Sequence, residues 1–208
     1  MFLFQELLKV TQTRQTELIA RQHWIHGLMQ PSKGFVGAQL CRYLGNPQDY
    51  LVLRMWENEE AFTTFRAGPD GNYGRNRPEG LFEGVPSGRR YESVIESPGS
   101  AKGGYLVRSI YGVEPENNDA FIANRQRHDG LALQVPGTAL LNTFKCVDTE
   151  GDSVNTFLCV AQRVDRDAYN AYLESEQAAE YRKGNVRGMY KTISTQCYEV
   201  VDEVRPGK

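Results

Sequence analysis

The chain has 208 residues, with 24 basic and 26 acidic side chains and 40% hydrophobic residues. That length can bury the core of one large domain or of two domains of about 100 residues each, and so even a charge balance gives no field that would draw nucleic acid or an anionic membrane as the main partner. No apolar run approaches the roughly 20 residues that span a bilayer, and the start "MFLFQELLKV" has neither a basic leader nor a small-residue cleavage site, so the expectation is a soluble, cytoplasmic protein without a signal peptide.

In chain order, residues 2–10 read as a strand. Residues about 13–29 carry Leu18, Ile25 and Met29 at helical spacing and end at the breakers Pro31 and Gly34. Two strands follow, at about 35–43 and 50–56, joined by a turn at Gly45-Asn46-Pro47. Asn58 suits the N-cap of a second helix from Glu59, where Glu59 and Glu60 also match the positive end of the helix dipole. The segment from Ala67 to Arg90 then holds six glycines, three prolines and four arginines, a loop composition. A strand at about 90–96 completes the order βαββαβ, the ferredoxin-like motif.

The second half repeats the first. A shift of 103 residues sets Phe2 on Tyr105, Val10 on Val113, Leu18 on Phe121, Gly27 on Gly130 and Gly34 on Gly137. After four extra residues in the hairpin "VDTEGDS" the shift becomes 107, and Tyr50 meets Phe157, Ala61 meets Ala168 and Tyr91 meets Tyr198. The order and spacing of these matches define two units, 1–98 and 104–208, joined by the linker Glu96 to Gly104. In the second unit the counterpart of the Gly-rich loop, "ESEQAAEYRKGNVRGMYKTISTQC", reads as continued helix to about Lys183. Each unit covers one sheet face with helices and leaves the other bare. The expectation is an α+β fold in which two ferredoxin-like units pack sheet to sheet as an intramolecular dimeric α+β barrel, the chain being either a monomer with an internal pseudo-dimer or a homodimer.

The pattern "GFVGAQL" followed by "YLVLRMWENEEAFTTFR" resembles the antibiotic biosynthesis monooxygenase family of dimeric α+β barrels, closely over residues 1–66 and at the level of the fold beyond them. The resemblance implies a pocket between sheet and helices in each unit. It also implies a range of activities: cofactor-free oxidation of polyketide phenols to quinones, quinol oxidation, haem degradation, or binding without turnover. In quinone-forming members the junction Trp works with an Asn four residues earlier and a Tyr six later. Here Trp56 is kept, but those positions are Val52 and Phe62, while the second unit has Arg163, Cys159 and Tyr169 at the three. Haem-degrading members have an Asn in strand one and an axial His near the second helix. This chain has Gln5 in strand one and no His between Phe62 and Tyr91, which disfavours haem.

Candidate site residues follow from position. Alternation along the third strand puts Val52, Arg54 and Trp56 on one face and the apolar Leu51, Leu53 and Met55 on the other. Trp56 is either plain packing or a pocket wall. Gln5 and its counterpart Arg108 place polar groups on an apolar face, where each needs a ligand or a bonded partner. His128 aligns with the apolar-stripe residue Ile25, so it is either a satisfied core histidine or a neutral acid/base group facing the sheet. His23 and His26 lack a third ligand at metal spacing and read as solvent-facing or capping residues, and Cys41, Cys146, Cys159 and Cys197 read as buried free thiols. Tyr73, Arg75, Arg77 and Phe82 of the loop are placed to close over an aromatic or anionic ligand, unless the loop is only a mobile surface segment.

Two classes of function remain open at this point. One is a cofactor-independent monooxygenase or related enzyme acting on a small aromatic or polyketide-like substrate, with Trp56, Arg54 and His128 catalytic and Gln5, Arg108, Tyr73 and Arg75 binding substrate. The other is a non-catalytic small-molecule-binding or pathway accessory protein. Neither reading calls for a metal or other cofactor. Because Trp56 and the Gly-rich loop both belong to the first unit, that unit is expected to hold the working pocket.

Overall fold

The computed structural model describes residues 1–74, 77–148, 154–184 and 188–206. Arg75 and most of the hairpin "VDTEGDS" lie outside the described residues. The chain divides into two compact units, Met1–Glu92 with Val200–Lys208, and Ser93–Glu199.

In the first unit β1 (Phe2–Lys9) runs antiparallel between β3 (Asp49–Trp56) and β4 (Ser87–Pro98), and β2 (Phe35–Tyr43) pairs with the other edge of β3. The register sets Phe2 opposite Trp56 and Glu6 opposite Val52. Helix α1 (Gln15–Met29) buries Leu18, Gln22, Ile25, His26 and Met29, which recur every three or four residues and so share one face. Leu18 packs in one cluster with Leu8, Val10, Tyr50 and Val52, while Phe62 of α2 (Glu59–Ala67) stacks on Phe2 and Phe4. The even-numbered residues of β1 and β3 therefore face the helices. Asn58 caps α2, its side chain accepting from the Ala61 N–H at 2.9 Å.

The second unit repeats this plan. β5 (Tyr105–Val113) lies between β7 (Asn155–Arg163) and β8 (Lys191–Val204), and β6 (Thr138–Cys146) pairs with β7. Helix α3 (Asn118–Ala132) sends Phe121 into a cluster with Val113, Phe157 and Cys159. Tyr172 of α4 (Arg166–Glu174) and Ala178 of α5 (Glu176–Lys183) pack with Ala132, Val135 and Leu141. Gly34 and Gly137 hold the same position before β2 and β6, both with φ near +80°, at φ +79° and +83°. A side chain at either is strained, and a Cβ on Gly34 would sit 2.6 Å from that of Ala61.

β4 and β8 are the longest strands, at 12 and 14 residues. The fold is α+β, two ferredoxin-like units with eight antiparallel strands. Two local expectations need correction. Glu96, Ser97 and Pro98 belong to β4, and the remainder of the connection is tied down by Gly99 N–H to Ala139 O at 3.0 Å and Gly104 N–H to Arg163 O at 2.9 Å, so it is not a free linker. The helix expected to run on to Lys183 breaks at Ser175, whose hydroxyl caps α5 by accepting from the Ala178 N–H at 3.2 Å. No helix among the described residues is long and apolar enough to cross a membrane.

Candidate functional site

Between sheet and helices, the two units present the same positions filled differently. In the first unit Arg54 is fully buried and reaches under α1, where Nη1 donates to Glu6 Oε2 and Nη2 to Gln22 Oε1, each at 3.0 Å. Its guanidinium also stands 5.9 Å from the Phe4 ring centre and 5.4 Å from that of Tyr73, and Arg77 adds a second contact to Glu6 at 3.6 Å. Tyr73 is held by the Arg21 guanidinium donating to its carbonyl at 2.8 Å. The loop thus closes over an internal ion pair rather than over open space. About 10 Å³ is left beneath α1, close to the room one water needs.

Trp56 stands beside this cleft without lining it. It is completely buried among Phe35, Phe62 and Phe65, at ring distances of 5.3, 6.1 and 5.2 Å, and its indole N–H has no hydrogen-bond partner among the described residues. Gln5 and Arg108 are buried, but alternation puts them on the sheet face away from the helices, and Arg108 donates to Gln196 at 3.0 Å. The expected set of Trp56, Arg54, Gln5, Arg108, Tyr73 and His128 is not brought together, because it mixes two sheet faces and two units. His23 and His26 both meet Asp202 through Nδ1, at 2.9 and 3.1 Å; His23 is exposed, whereas His26 is fully buried, contrary to a solvent-facing role for the pair. Cys41, Cys146 and Cys159 are buried and Cys197 is half-buried. Among the described residues no group of three or more His, Cys, Asp or Glu side chains is arranged to hold a metal ion.

A pocket of about 340 Å³ in the first unit lies at the start of α2, lined by Lys33, Gly34, Glu57 and Asn58 among others, but between sheet and helices the larger space among the described residues is in the second unit. A cavity of about 210 Å³ lies between its sheet and α3 and α4, lined by Val107, Ser109, Tyr111, Arg125, His128, Leu141, Cys159, Ala161, Arg163, Tyr169, Tyr172 and Thr195. The repeat explains it. Ser109 stands where the first unit has Glu6, and Ala161 where it has Arg54, so the pair that fills the first cleft is replaced by two small side chains.

Around this cavity runs a chain of hydrogen bonds. His128 meets Asp129 Oδ1 through Nδ1 at 2.8 Å and Tyr172 Oη through Nε2 at 2.6 Å. A carboxylate only accepts and a guanidinium only donates, so the 2.8 Å contact to Asp129 puts the proton on Nδ1 in preference to the longer 3.1 Å approach of Arg125 Nη2 to the same atom, and makes Nε2 the acceptor of the Tyr172 O–H. Asp129 is buried and is also approached by the Ser97 hydroxyl and by Arg125, each at 3.4 Å. Burial lowers the His128 pKa below its usual value, and the nearby Arg125 lowers it further, against the pull of Asp129. Burial likewise raises the pKa of Tyr172 and that of the Cys159 thiol, whose sulfur lies 3.5 Å from Thr143 Oγ1. The result is a neutral imidazole and a phenol hydrogen-bonded to it, both on the cavity wall.

Arg163 completes the wall. It is 1% exposed, donates through Nη1 to Thr138 Oγ1 at 2.6 Å, and stacks over the Tyr172 ring at 4.2 Å. Of the residues expected from sequence, only His128 lines this cavity; Arg125, Asp129 and Tyr172 were not anticipated. The signal available in the sequence was the loss of bulk at Ser109 and Ala161 when the two units are aligned.

Residues 1–70 match the family model described as antibiotic biosynthesis monooxygenase. No curated protein matches the sequence. Among solved structures, a candidate monooxygenase from Fusobacterium nucleatum superposes with a TM-score of 0.82 at 14% identity, covering 99% of this chain and 94% of that one. An anthrone oxidase-like protein gives 0.65 at 16% identity, over 100% and 94% of the two chains. A haem-degrading enzyme from Listeria monocytogenes gives 0.51 at 14%, over 94% and 98%. At such identities the shared property is the fold, which hosts different chemistries. Residues 1–70 are thus similar to the antibiotic biosynthesis monooxygenase family, and the whole length of the chain shares the fold of these structures.

Proposed function

We propose that the second unit's cavity is the working site of a cofactor-independent monooxygenase acting on a small phenolic or similarly acidic aromatic substrate. The observation that carries this reading is the Asp129–His128–Tyr172 chain, a buried neutral base linked to a cavity by a phenol. Proton abstraction from a bound phenol passes through Tyr172 to His128 Nε2, and Asp129 stabilises the imidazolium that forms. Arg125, which also lines the cavity, offsets the negative charge left on the phenolate. The electron-rich phenolate ring then reduces dioxygen, and recombination at the para carbon takes back the proton as a hydroperoxide. Loss of water gives the quinone, with one oxygen atom in the new carbonyl, the other in water, and the ring C–H proton leaving through the same relay.

Size restricts the substrate. A cavity of about 150 Å³ can hold benzene, so about 210 Å³ suits one substituted ring or two small fused rings. It lies below the usual range of roughly 300–1,000 Å³ for drug-sized ligands and does not accept a tetrapyrrole. The match of residues 1–70 to the family model and the likeness to an anthrone oxidase-like protein support aromatic oxidation as the reaction class.

The test is oxygen uptake above autoxidation with 1-naphthol and with 2-methylphenol, on protein treated with a chelator. Uptake with quinone formation that falls at least about 100-fold in His128→Gln and Tyr172→Phe is expected for a lost proton relay. Uptake unchanged in both variants overturns the assignment. Ligand binding without any uptake would instead identify a non-catalytic binding protein.

A further inference from the structure

We infer that the ligand of the second unit's cavity is an aromatic acid, whose ring lies in the cavity and whose carboxylate is bound by Arg163. This inference rests on the same cavity as the proposed function and deepens it by naming the ligand's charge.

The argument begins with an unbalanced charge. Among the described residues, three buried guanidinium groups lie between sheet and helices in the two units, and two of them have acidic partners. Arg54 is matched by Glu6 at 3.0 Å, and Arg125 by Asp129 at 3.4 Å. Arg163 has almost no surface open to solvent but borders the cavity, and among the described residues no carboxylate comes within ion-pair distance of it. Its Nε has no hydrogen-bond partner there either, and its one polar contact is the Thr138 hydroxyl. Thr138 Oγ1 shares its one proton between the carbonyls of Ala132 and Val135, both at 2.9 Å, so its lone pairs are available to Arg163 but it supplies no charge. An isolated cation in a protein interior is costly unless it is paired. Here the guanidinium borders a cavity able to supply the missing partner from outside.

The class of anion follows from the other walls. Val107, Leu141, Ala161 and the ring of Tyr169 give an apolar and aromatic lining suited to a ring rather than to a fully hydrated ion. A guanidinium presents parallel N–H groups that match a planar carboxylate. A simple phenol, with a pKa near 10 like that of tyrosine, arrives neutral at physiological pH and cannot balance Arg163 on binding. A carboxylate arrives already charged. The carboxylate on Arg163 and a phenol at Tyr172 are therefore separate functions of one ligand.

The experiment compares 4-hydroxybenzoate with 4-hydroxybenzamide, which share ring and phenol and differ in charge, by anaerobic titration calorimetry on the full chain. Inorganic phosphate serves as the competitor. We expect the acid to bind at least about tenfold more tightly than the amide, the factor for one charge-assisted contact, and phosphate not to displace it. Arg163→Met should abolish the preference while leaving the thermal midpoint of the ligand-free protein unchanged or higher, because it removes an unpaired buried charge. Equal binding of acid and amide, preference retained in Arg163→Met, displacement by phosphate, or failure of the acid to bind would each overturn the inference. Because no turnover is measured, an acid preference that persists without oxygen uptake would sink the oxygenase reading alone, and uptake confined to uncharged phenols would sink only this one.

Discussion

Arg54 donates to Glu6 at 3.0 Å beneath α1, and the two equivalent positions of the second unit are Ala161 and Ser109. That exchange separates a cleft of about 10 Å³ from a cavity of about 210 Å³ on the same backbone plan. Neither Trp56 nor the Gly-rich loop, the most conspicuous features of the sequence, lines the larger space.

Filling the second cavity should abolish ligand binding at little cost to folding. Ala161→Leu adds apolar bulk to an open wall, so its thermal midpoint should stay near that of the parent while calorimetry with the aromatic acid shows no binding. In the first unit, Arg54→Ala alone leaves Glu6 largely buried beside only the more distant Arg77. A loss of about 3 to 5 kcal/mol is expected from denaturant unfolding. The double variant Glu6→Ser with Arg54→Ala should recover much of that loss, since it removes the orphaned charge together with its partner.

Trp56 is expected to matter for stability and not for ligand binding. Its ring contacts Phe35, Phe62 and Phe65 in a sealed cluster. Trp56→Ala should cost about 3 to 5 kcal/mol and Trp56→Phe considerably less, with ligand affinity at the second unit unchanged in both. A large fall in affinity in Trp56→Phe, with the midpoint retained, would restore it to a binding role.

Acidification should destabilise the fold through two buried imidazoles. Burial is the main cause lowering the pKa of both His26 and His128; Arg54 and His23 oppose protonation at the first, Arg125 and Arg163 at the second, while Asp202 and Asp129 favour it. Both folded values lie below the ordinary 6.5, so between them and 6.5 the unfolded chain binds more protons. Stability is therefore full above about pH 6.5 and falls as pH drops through the folded values, with a slope of at most about 1.4 kcal/mol per pH unit for each proton. His26→Gln and His128→Gln should each flatten that slope when unfolding is measured from pH 7 to 5. The lowered pKa of Asp202, caused first by its hydrogen bond from His26, contributes stability lost only at lower pH, below its ordinary 3.8.

Asp129 acts through His128 and has a distinct signature. Asp129→Asn should lower turnover by removing the carboxylate that stabilises the imidazolium, and should depress the acid limb of the pH–rate profile to still lower pH, since it takes away the interactions that raise the His128 pKa. An unshifted acid limb would leave Asp129 a purely structural partner of Arg125.

The two helix caps provide a local check. Asn58 and Asp165 each accept from the N–H three residues on, at 2.9 and 2.8 Å. Replacing either with Ala should cost about 1 kcal/mol in denaturant unfolding, without effect on ligand affinity.

The sequence by itself determined the repeat, the βαββαβ order and most element positions, because hydrophobic spacing, the Asn58 cap and the breakers at Pro31 and Gly34 are short-range signals carried within a few residues. It also placed His128 on the sheet-facing side of its helix, through alignment with Ile25. The tertiary structure alone decided which unit is open. Whether Arg54 fills space depends on Glu6 from another strand, Gln22 from a helix and Tyr73 from a distant loop. The Asp129–His128–Tyr172 chain likewise joins neighbours on one helix to a residue 44 positions further along. Periodicity fixes the face a side chain shows, but the volume left in front of that face is set by residues far apart in the chain, and only packing brings them together.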